Sequence, residues 1–137
     1  MERKKYVDVN VFVYWLGGDK QFGKRAHMWV KRMEERDGFV TSSLTLYELL
    51  TIFAGIAKKS LRDPGFTIAI LRAIMGLRGL EVIGLDSEDY IKALTYMETY
   101  KLDFEDALHL AAAIKAEAQE IITNDSHFEG LPIKRSF

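Results

Sequence analysis

Short apolar runs alternate along this chain with longer segments of helical periodicity, and this alternation limits the fold more than any other feature. The runs that predict buried strands are residues 5–9, 39–42, 81–85 and 120–123, with a short edge strand at 132–135. Helical periodicity covers residues 20–36, 44–59, 64–78, 87–100 and 104–118, whereas the apolar run 11–16 fits either a strand or a short helix. Alternating strands and helices predict an α/β fold, a three-layer α/β/α domain around a mainly parallel sheet of four to five short strands.

The composition of the chain is typical of one domain over residues 1–137. With 48% hydrophobic residues the chain can build a core without disulfides, and the absence of cysteine excludes thiol catalysis and cysteine-ligated metals. No apolar stretch reaches the length of a membrane span and no leader pattern opens the sequence, so we expect a cytoplasmic protein with no membrane association. A net charge of -1 argues against a dedicated duplex-binding protein, although local basic clusters permit contact with nucleic acid.

Four apolar runs each lead into an acidic residue. These residues are Asp8, Glu48, Asp106 and Asp125. A carboxylate beside a packed core is unfavourable unless it is paired, hydrogen-bonded or bound to a cation. In a parallel α/β sheet, ligands bind beyond the carboxyl ends of the strands, near the point where the strand order reverses. The positions of the four acids relative to the predicted strands therefore indicate one shared site.

Each acid also has a structural explanation. Asp8 is the hardest to explain in this way, because valines flank it and Asp is disfavoured in strands. Glu48 could complete a capping box with the threonine three residues before it. Asp106 follows Asp103, a candidate N-cap, and Asp125 lies in a loop sequence that favours Asx turns. For the last three acids, local sequence alone does not decide between a structural and a functional role.

Carboxylates gathered at one place require a cation or a proton. Two unit charges about 4 Å apart repel by roughly 4 kcal/mol at an effective dielectric constant of about 20. Oxygen ligands without cysteine favour Mg²⁺ or Mn²⁺ over zinc. Mg²⁺ takes few protein carboxylates and leaves coordination positions for water and phosphate oxygens, so the pattern points to phosphodiester chemistry, in which one or two ions activate water and stabilise the leaving oxygen.

The chain resembles the PIN-domain ribonucleases, particularly the VapC-type toxins of prokaryotic toxin-antitoxin pairs. The segments that carry the resemblance are YVDVNVF, SSLTLYELL, LDFEDALHLAAAI and IITNDSHFEGLPI, in the family's order and across nearly the whole chain. The resemblance implies an endoribonuclease, dependent on Mg²⁺ or Mn²⁺, that hydrolyses phosphodiester bonds in single-stranded or looped RNA. It also implies a homodimer and an antitoxin whose helix or extended tail binds the apolar surface near residues 44–80.

The same resemblance assigns roles to individual residues. The catalytic and metal-binding acids that it implies are Asp8, Glu48, Asp106 and Asp125. Supporting roles beside these acids fall to Asn10 and Thr123, whereas Asp103, an additional acid within one helical turn of Asp106, could be a helix cap or an outer ligand. Asn10 would orient the first acid and begin a short helix, and Thr123 would be a hydrogen-bond partner. For His109 and His127 we expect packing or hydrogen bonding rather than ligation.

Two other functions remain open on the sequence alone. A catalytically silent PIN module could bind RNA or protein as a scaffold, although the presence of all four acids disfavours it. A DNA-directed nuclease could use the same acids, because the sequence does not identify contacts to the 2′-hydroxyl group that would select RNA. A dinucleotide-binding enzyme is disfavoured because no GxGxxG follows the first strand, and an aspartyl-phosphate enzyme because Asp8 is followed by Val-Asn and not by a second Asp.

Overall fold

The structure, a computed structural model, describes residues 3–137, and this part of the chain forms one five-stranded, fully parallel sheet. The strands are β1 (Lys5–Val7), β2 (Phe39–Ser42), β3 (Leu80–Ile83), β4 (Glu120–Ile122) and β5 (Lys134–Ser136). Their order in the sheet is β3-β2-β1-β4-β5. The chain runs outward from β1 to β3 and then continues on the other side of β1, so the strand order reverses between β1 and β4. Parallel α/β sheets bind ligands at this point.

Helices cover both faces of the sheet, which confirms the predicted three-layer α/β/α fold. Within residues 3–137 they are α1 (Val9–Gly17), α2 (Gly23–Glu35), α3 (Ser43–Ala57), α4 (Pro64–Met75), α5 (Ser87–Tyr100) and α6 (Phe104–Lys115). Side chains alternate along each strand. Tyr6 therefore faces a core formed with α5 and α6, whereas Val7 faces a second core formed with α1 to α4.

The first strand and the second helix are shorter than the sequence predicts, because aspartate side chains bind the backbone beside them. The strand expected to reach residue 9 ends at Val7, since Asp8 caps α1 and its side chain accepts a hydrogen bond from the Val9 N–H. The run 11–16 is helical. Helix α2 begins at Gly23 and not at residue 20, because the Asp19 side chain accepts two backbone hydrogen bonds in the preceding turn.

Helices α3 and α4 leave large apolar side chains in solvent. The sequence allowed two explanations for the surplus of apolar residues here, packing on several sides or a partner surface. Helix α4 buries only Ile74 fully among its described residues. The exposed apolar side chains of this helix pair are Tyr47, Ile56, Ile68 and Met75. Part of the surplus therefore lies on the surface.

None of the helices within residues 3–137 combines the length and the apolar content that a membrane crossing requires.

Candidate metal centre

Asp8 lies at the point where the strand order of the sheet reverses. It directly follows β1, and its backbone N–H donates to the Ile122 carbonyl of β4 at 3.0 Å. The side chain is buried, and it accepts hydrogen bonds from the Val9 N–H and the Thr123 hydroxyl, both at 2.8 Å. Burial nevertheless raises the pKa of Asp8 above its ordinary value, with a smaller contribution from the charge of Glu48. A cation beside this carboxylate would favour its ionised form.

Asn10 and Thr123 form a hydrogen-bonded bridge between the first and the last of the four acids. The Asn10 amide donates to Thr123 Oγ1 at 3.0 Å and to Asp8 Oδ2 at 3.4 Å. The backbone N–H of Asp125 donates to the same threonine oxygen at 3.0 Å. Both polar residues thus lie at the positions that the resemblance implies, in contact with the acids and able to orient them.

Glu48 points from α3 toward α6, where it meets His109. Its Oε1 lies 2.6 Å from His109 Nε2, and the same nitrogen lies 3.5 Å from Asp8 Oδ1. The capping-box alternative for Glu48 is wrong, because Thr45 lies inside α3 and its hydroxyl pairs with that of Thr41. The side chain of Glu48 is therefore directed at the site and not at the start of its own helix.

Asp106 and Asp125 meet on either side of His127. The ring Nδ1 lies 3.4 Å from Asp106 Oδ2 and 3.2 Å from Asp125 Oδ1. One ligand atom from each of these three residues lies within 4.8 Å of the others, close enough for one metal ion to bind all three. Asp8 and Glu48 are not part of this group. The structure therefore arranges the four acids as two neighbouring pairs, each converging on a histidine.

The charges of the two pairs are coupled. Burial, followed by the negative charges of Asp103, Asp125 and Asp8, raises the pKa of Asp106 to about 6. Asp103 also caps α6 by accepting a hydrogen bond from the Asp106 N–H at 2.8 Å, so the structure shows it as a cap next to the acids. Asp106 therefore carries the combined repulsion of the cluster.

Glu105 is a further acid at this site that our sequence analysis did not select. A hydrogen bond with Glu48, followed by burial and by the charge of Glu48, raises the pKa of Glu105 to about 7. A signal was available, because Glu105 and His109 are four residues apart and so share one face of α6. For His127 the sequence predicted packing or hydrogen bonding rather than ligation, whereas the geometry makes its ring nitrogen a candidate ligand.

The sequence matches the family model of the PIN domain over residues 5–134, a range that contains every residue of the site. This chain belongs to the PIN domain family. The family predicted from the sequence motifs is therefore confirmed. A comparison with curated protein sequences found no significant match.

Solved structures of toxins and toxin-antitoxin complexes share the fold of this PIN domain. Mycobacterium tuberculosis VapC20, described as a sarcin-ricin loop cleaving toxin, superposes with a TM-score of 0.69 at 16% identity, covering 96% of this chain and 99% of VapC20. VapBC2 from Rickettsia felis, bound to a promoter DNA fragment, gives a TM-score of 0.65 at 19% identity, with 96% of each chain covered. A Klebsiella pneumoniae toxin-antitoxin complex gives 0.64 at 21% identity, covering 94% of this chain and 93% of that chain.

The residues of the site fit a hard divalent cation. The candidate ligands are the carboxylates of the four acids and the imidazole of His127, and the chain has no cysteine that would favour a softer metal. Burial, followed by repulsion from the neighbouring acids, raises the pKa of Asp106, and a divalent cation would relieve that repulsion. The PIN domain therefore has a donor set suited to Mg²⁺ or Mn²⁺.

The metal-free PIN domain should lose stability as the pH rises from 5 to 8. The native pKa of Glu105, about 7, and that of Asp106, about 6, lie above their ordinary values of 4.5 and 3.8. Burial disfavours the His109 imidazolium, but the fields of Tyr6 and the neighbouring acids outweigh it and raise the pKa of this histidine as well. The native state therefore binds more protons than the unfolded state in this range, so stability is lost as these groups deprotonate.

Thermal unfolding in EDTA, followed by circular dichroism at several pH values, measures this effect. Glu105→Gln should flatten the dependence of the Tm on pH, because it removes one of the groups whose pKa is raised. A Tm that stays constant or rises between pH 5 and 8 would contradict the prediction.

Proposed function

We propose that this PIN domain is a metal-dependent endoribonuclease that acts on single-stranded or looped RNA as the toxin of a toxin-antitoxin pair. The observation that carries the proposal is the placement of two neighbouring pairs of acids, Asp8 with Glu48 and Asp106 with Asp125, beyond the carboxyl end of the sheet where the strand order reverses. A nuclease needs such a group of acids, whereas a scaffold that only binds has no use for clustered carboxylates that repel one another.

The chain's own residues would hold the ion and orient its ligands. Asp106 and Asp125 would bind Mg²⁺ or Mn²⁺ together with His127, and Asp8 and Glu48 would complete the negative site. A bound ion would supply charge neutralisation at the phosphate and activation of water. Asn10 and Thr123 would keep the first and last acids in register through the hydrogen bonds that they share.

The choice of RNA rests on the family and on one structural neighbour. The VapC20 toxin, which shares the fold, is described as cleaving the sarcin-ricin loop, a looped RNA. Exposed basic side chains near the end of α3, among them Lys58, Lys59 and Arg62, could bind flanking phosphates. Action on such a substrate would take place in the cytoplasm.

The proposed partners are an antitoxin and a second copy of the chain. Tyr47, Ile56, Ile68 and Met75 give α3 and α4 an apolar exposed surface, which suits a helix or an extended segment of a partner protein. Among the structural neighbours, the Klebsiella pneumoniae structure is a toxin-antitoxin complex and VapBC2 is bound to a promoter DNA fragment. These observations support an antitoxin that covers the exposed side chains of α3 and α4.

The proposal is tested by incubating the purified chain with a structured RNA and with single-stranded DNA of the same sequence. We expect RNA cleavage with Mg²⁺ or Mn²⁺, none in EDTA, and recovery when excess Mn²⁺ is added back. Equal cleavage in EDTA would contradict the metal-dependent mechanism. Faster cleavage of the DNA would favour the DNA-directed alternative, and binding of RNA without cleavage under any metal condition would favour the scaffold.

A further inference from the structure

A buried chain of hydrogen bonds connects the core of the sheet to Glu48. Ser42 Oγ lies 2.8 Å from the Tyr6 hydroxyl, which lies 2.7 Å from His109 Nδ1. On the other side of the ring, His109 Nε2 lies 2.6 Å from Glu48 Oε1. The imidazole is only 2% exposed and packs edge-on against the Tyr6 ring. These four side chains, which we call the Ser42–Glu48 relay, connect β1, the end of β2, α6 and the second turn of α3.

The direction of the last hydrogen bond in the relay follows from chemistry. A carboxylate can only accept hydrogen bonds, so the ring Nε2 must carry a proton and donate a hydrogen bond to the Glu48 carboxylate. The opposite nitrogen and the two hydroxyls can then exchange the remaining protons in either direction, because each hydroxyl both donates and accepts. Within residues 3–137, every fully buried polar side-chain atom has a hydrogen-bond partner. The relay therefore fixes the orientation of the imidazole ring from both sides.

We propose that His109 is a positioning residue of the metal centre, which holds the Glu48 carboxylate in one orientation relative to Asp8. Glutamate has three side-chain torsions, and α3 alone does not select one rotamer that faces Asp8. The hydrogen bond from Nε2 selects it, and the distance of 3.5 Å from Nε2 to Asp8 Oδ1 sets the spacing between the two acids. This inference rests on the proposed metal-dependent function.

The relay gives hydrogen-bond partners to the His109 imidazole and the Tyr6 hydroxyl, which are buried beside the apolar core that α5 and α6 form with the sheet. Replacing His109 alone by an apolar residue leaves the Tyr6 hydroxyl and the Glu48 carboxylate without this partner, so a loss of stability is expected whether or not the histidine has a further role. Partners that orient metal ligands act differently, because their loss typically lowers metal affinity or activity by about 10- to 100-fold. Metal affinity therefore distinguishes positioning from packing.

The experiment measures Mn²⁺ affinity by titration calorimetry on folded variants of the whole chain. His109→Leu should weaken Mn²⁺ binding by about 10- to 100-fold, because nothing then holds the Glu48 carboxylate. His109→Gln should recover most of the affinity, since its amide can donate to the same oxygen. Tyr6→Phe, which keeps the ring but releases His109 Nδ1, should weaken binding by a smaller factor. Leu108→Val on the same helix is the matched control, because it disturbs packing without removing a hydrogen bond.

The outcomes separate this inference from the proposed function. Wild-type protein that binds no Mn²⁺ would contradict the metal centre itself. Wild-type protein that binds Mn²⁺, with His109→Leu binding within twofold of it, would overturn only the role of His109. Should His109→Leu fail to fold, Tyr6→Phe decides, since an unchanged Mn²⁺ affinity in that variant would overturn the inference. An equal loss of affinity in Leu108→Val and His109→Leu would assign the effect to packing, again overturning it.

Discussion

Asp8→Asn should reduce RNA cleavage by more than about 100-fold. Removing an outer hydrogen-bond partner of a metal ligand costs up to about 100-fold, and the loss of a proposed ligand itself should cost more. The substitution removes the negative charge of the most buried of the four acids and leaves its size unchanged. Asn is also a good N-cap, so the hydrogen bond from the Val9 N–H that begins α1 can persist. The loss of activity should therefore occur without unfolding.

The measurement is the initial rate of cleavage of a labelled RNA at saturating Mn²⁺, with circular dichroism to verify folding. Asp86→Asn is the matched control. Asp86 also follows a strand and caps a helix, but its side chain forms a capping box with Asp89 outside the group of four acids. We expect Asp86→Asn to cleave RNA at the wild-type rate. Asp8→Asn with a rate within tenfold of wild type would remove Asp8 from the catalytic group.

Gly79→Ala should lower the free energy of unfolding by about 3 kcal/mol, the upper part of the range for overpacking. Gly79 precedes β3 and donates its N–H to the Met33 carbonyl at 2.6 Å. A Cβ atom at this position would lie 2.5 Å from that oxygen and would collide with the Arg36 carbonyl oxygen as well. Both obstacles are backbone atoms, so a rotamer change cannot relieve the collision.

Chemical denaturation monitored by tryptophan fluorescence measures the effect of Gly79→Ala. Gly55→Ala is the control, and it should change the stability in the opposite direction. Gly55 is exposed within α3 and an added Cβ meets no atom within 4 Å, so this change should stabilise the protein by about 1 kcal/mol through helix propensity. If Gly79→Ala unfolded at the wild-type denaturant concentration, the close contact between Gly79 and the end of α2 would be wrong.

The sequence could predict the elements of this fold because their signals are local. Each strand is a short run whose residues alternate between two cores, as Tyr6 and Val7 do, and each helix has an apolar stripe. The predicted β2, Phe39–Ser42, has the same bounds in the structure. The predicted ends of α4 and α6 are each three residues too late, and the predicted starts or ends of β1 and α2 failed because one aspartate side chain decided them. The Asp8 carboxylate ended β1 by capping α1, and periodicity contains no information about that hydrogen bond.

The candidate site divides in the same way. The positions of its four acids after the apolar runs were visible in the sequence, because desolvation makes a carboxylate beside a core unusual wherever it occurs. The sequence did not indicate Glu105 as a site residue, because its raised pKa arises first from a hydrogen bond to Glu48, a residue on another helix. The sequence did not indicate His127 as a metal ligand for a similar reason. Its ring nitrogen acquires two acidic neighbours only after β4 and α6 come together.

The sequence by itself determined an α/β/α fold with a mainly parallel sheet and the PIN family, and it indicated four candidate acids, because these inferences depend on residue type and spacing along the chain. Only the tertiary structure decided which side chains meet. Thr123 donates to Asp8 across 115 residues, and His109 reaches Glu48 across 61. Such contacts depend on the order of strands in the sheet and on the rotation of α6 against α3, and both are set by packing of the whole core rather than by any local pattern.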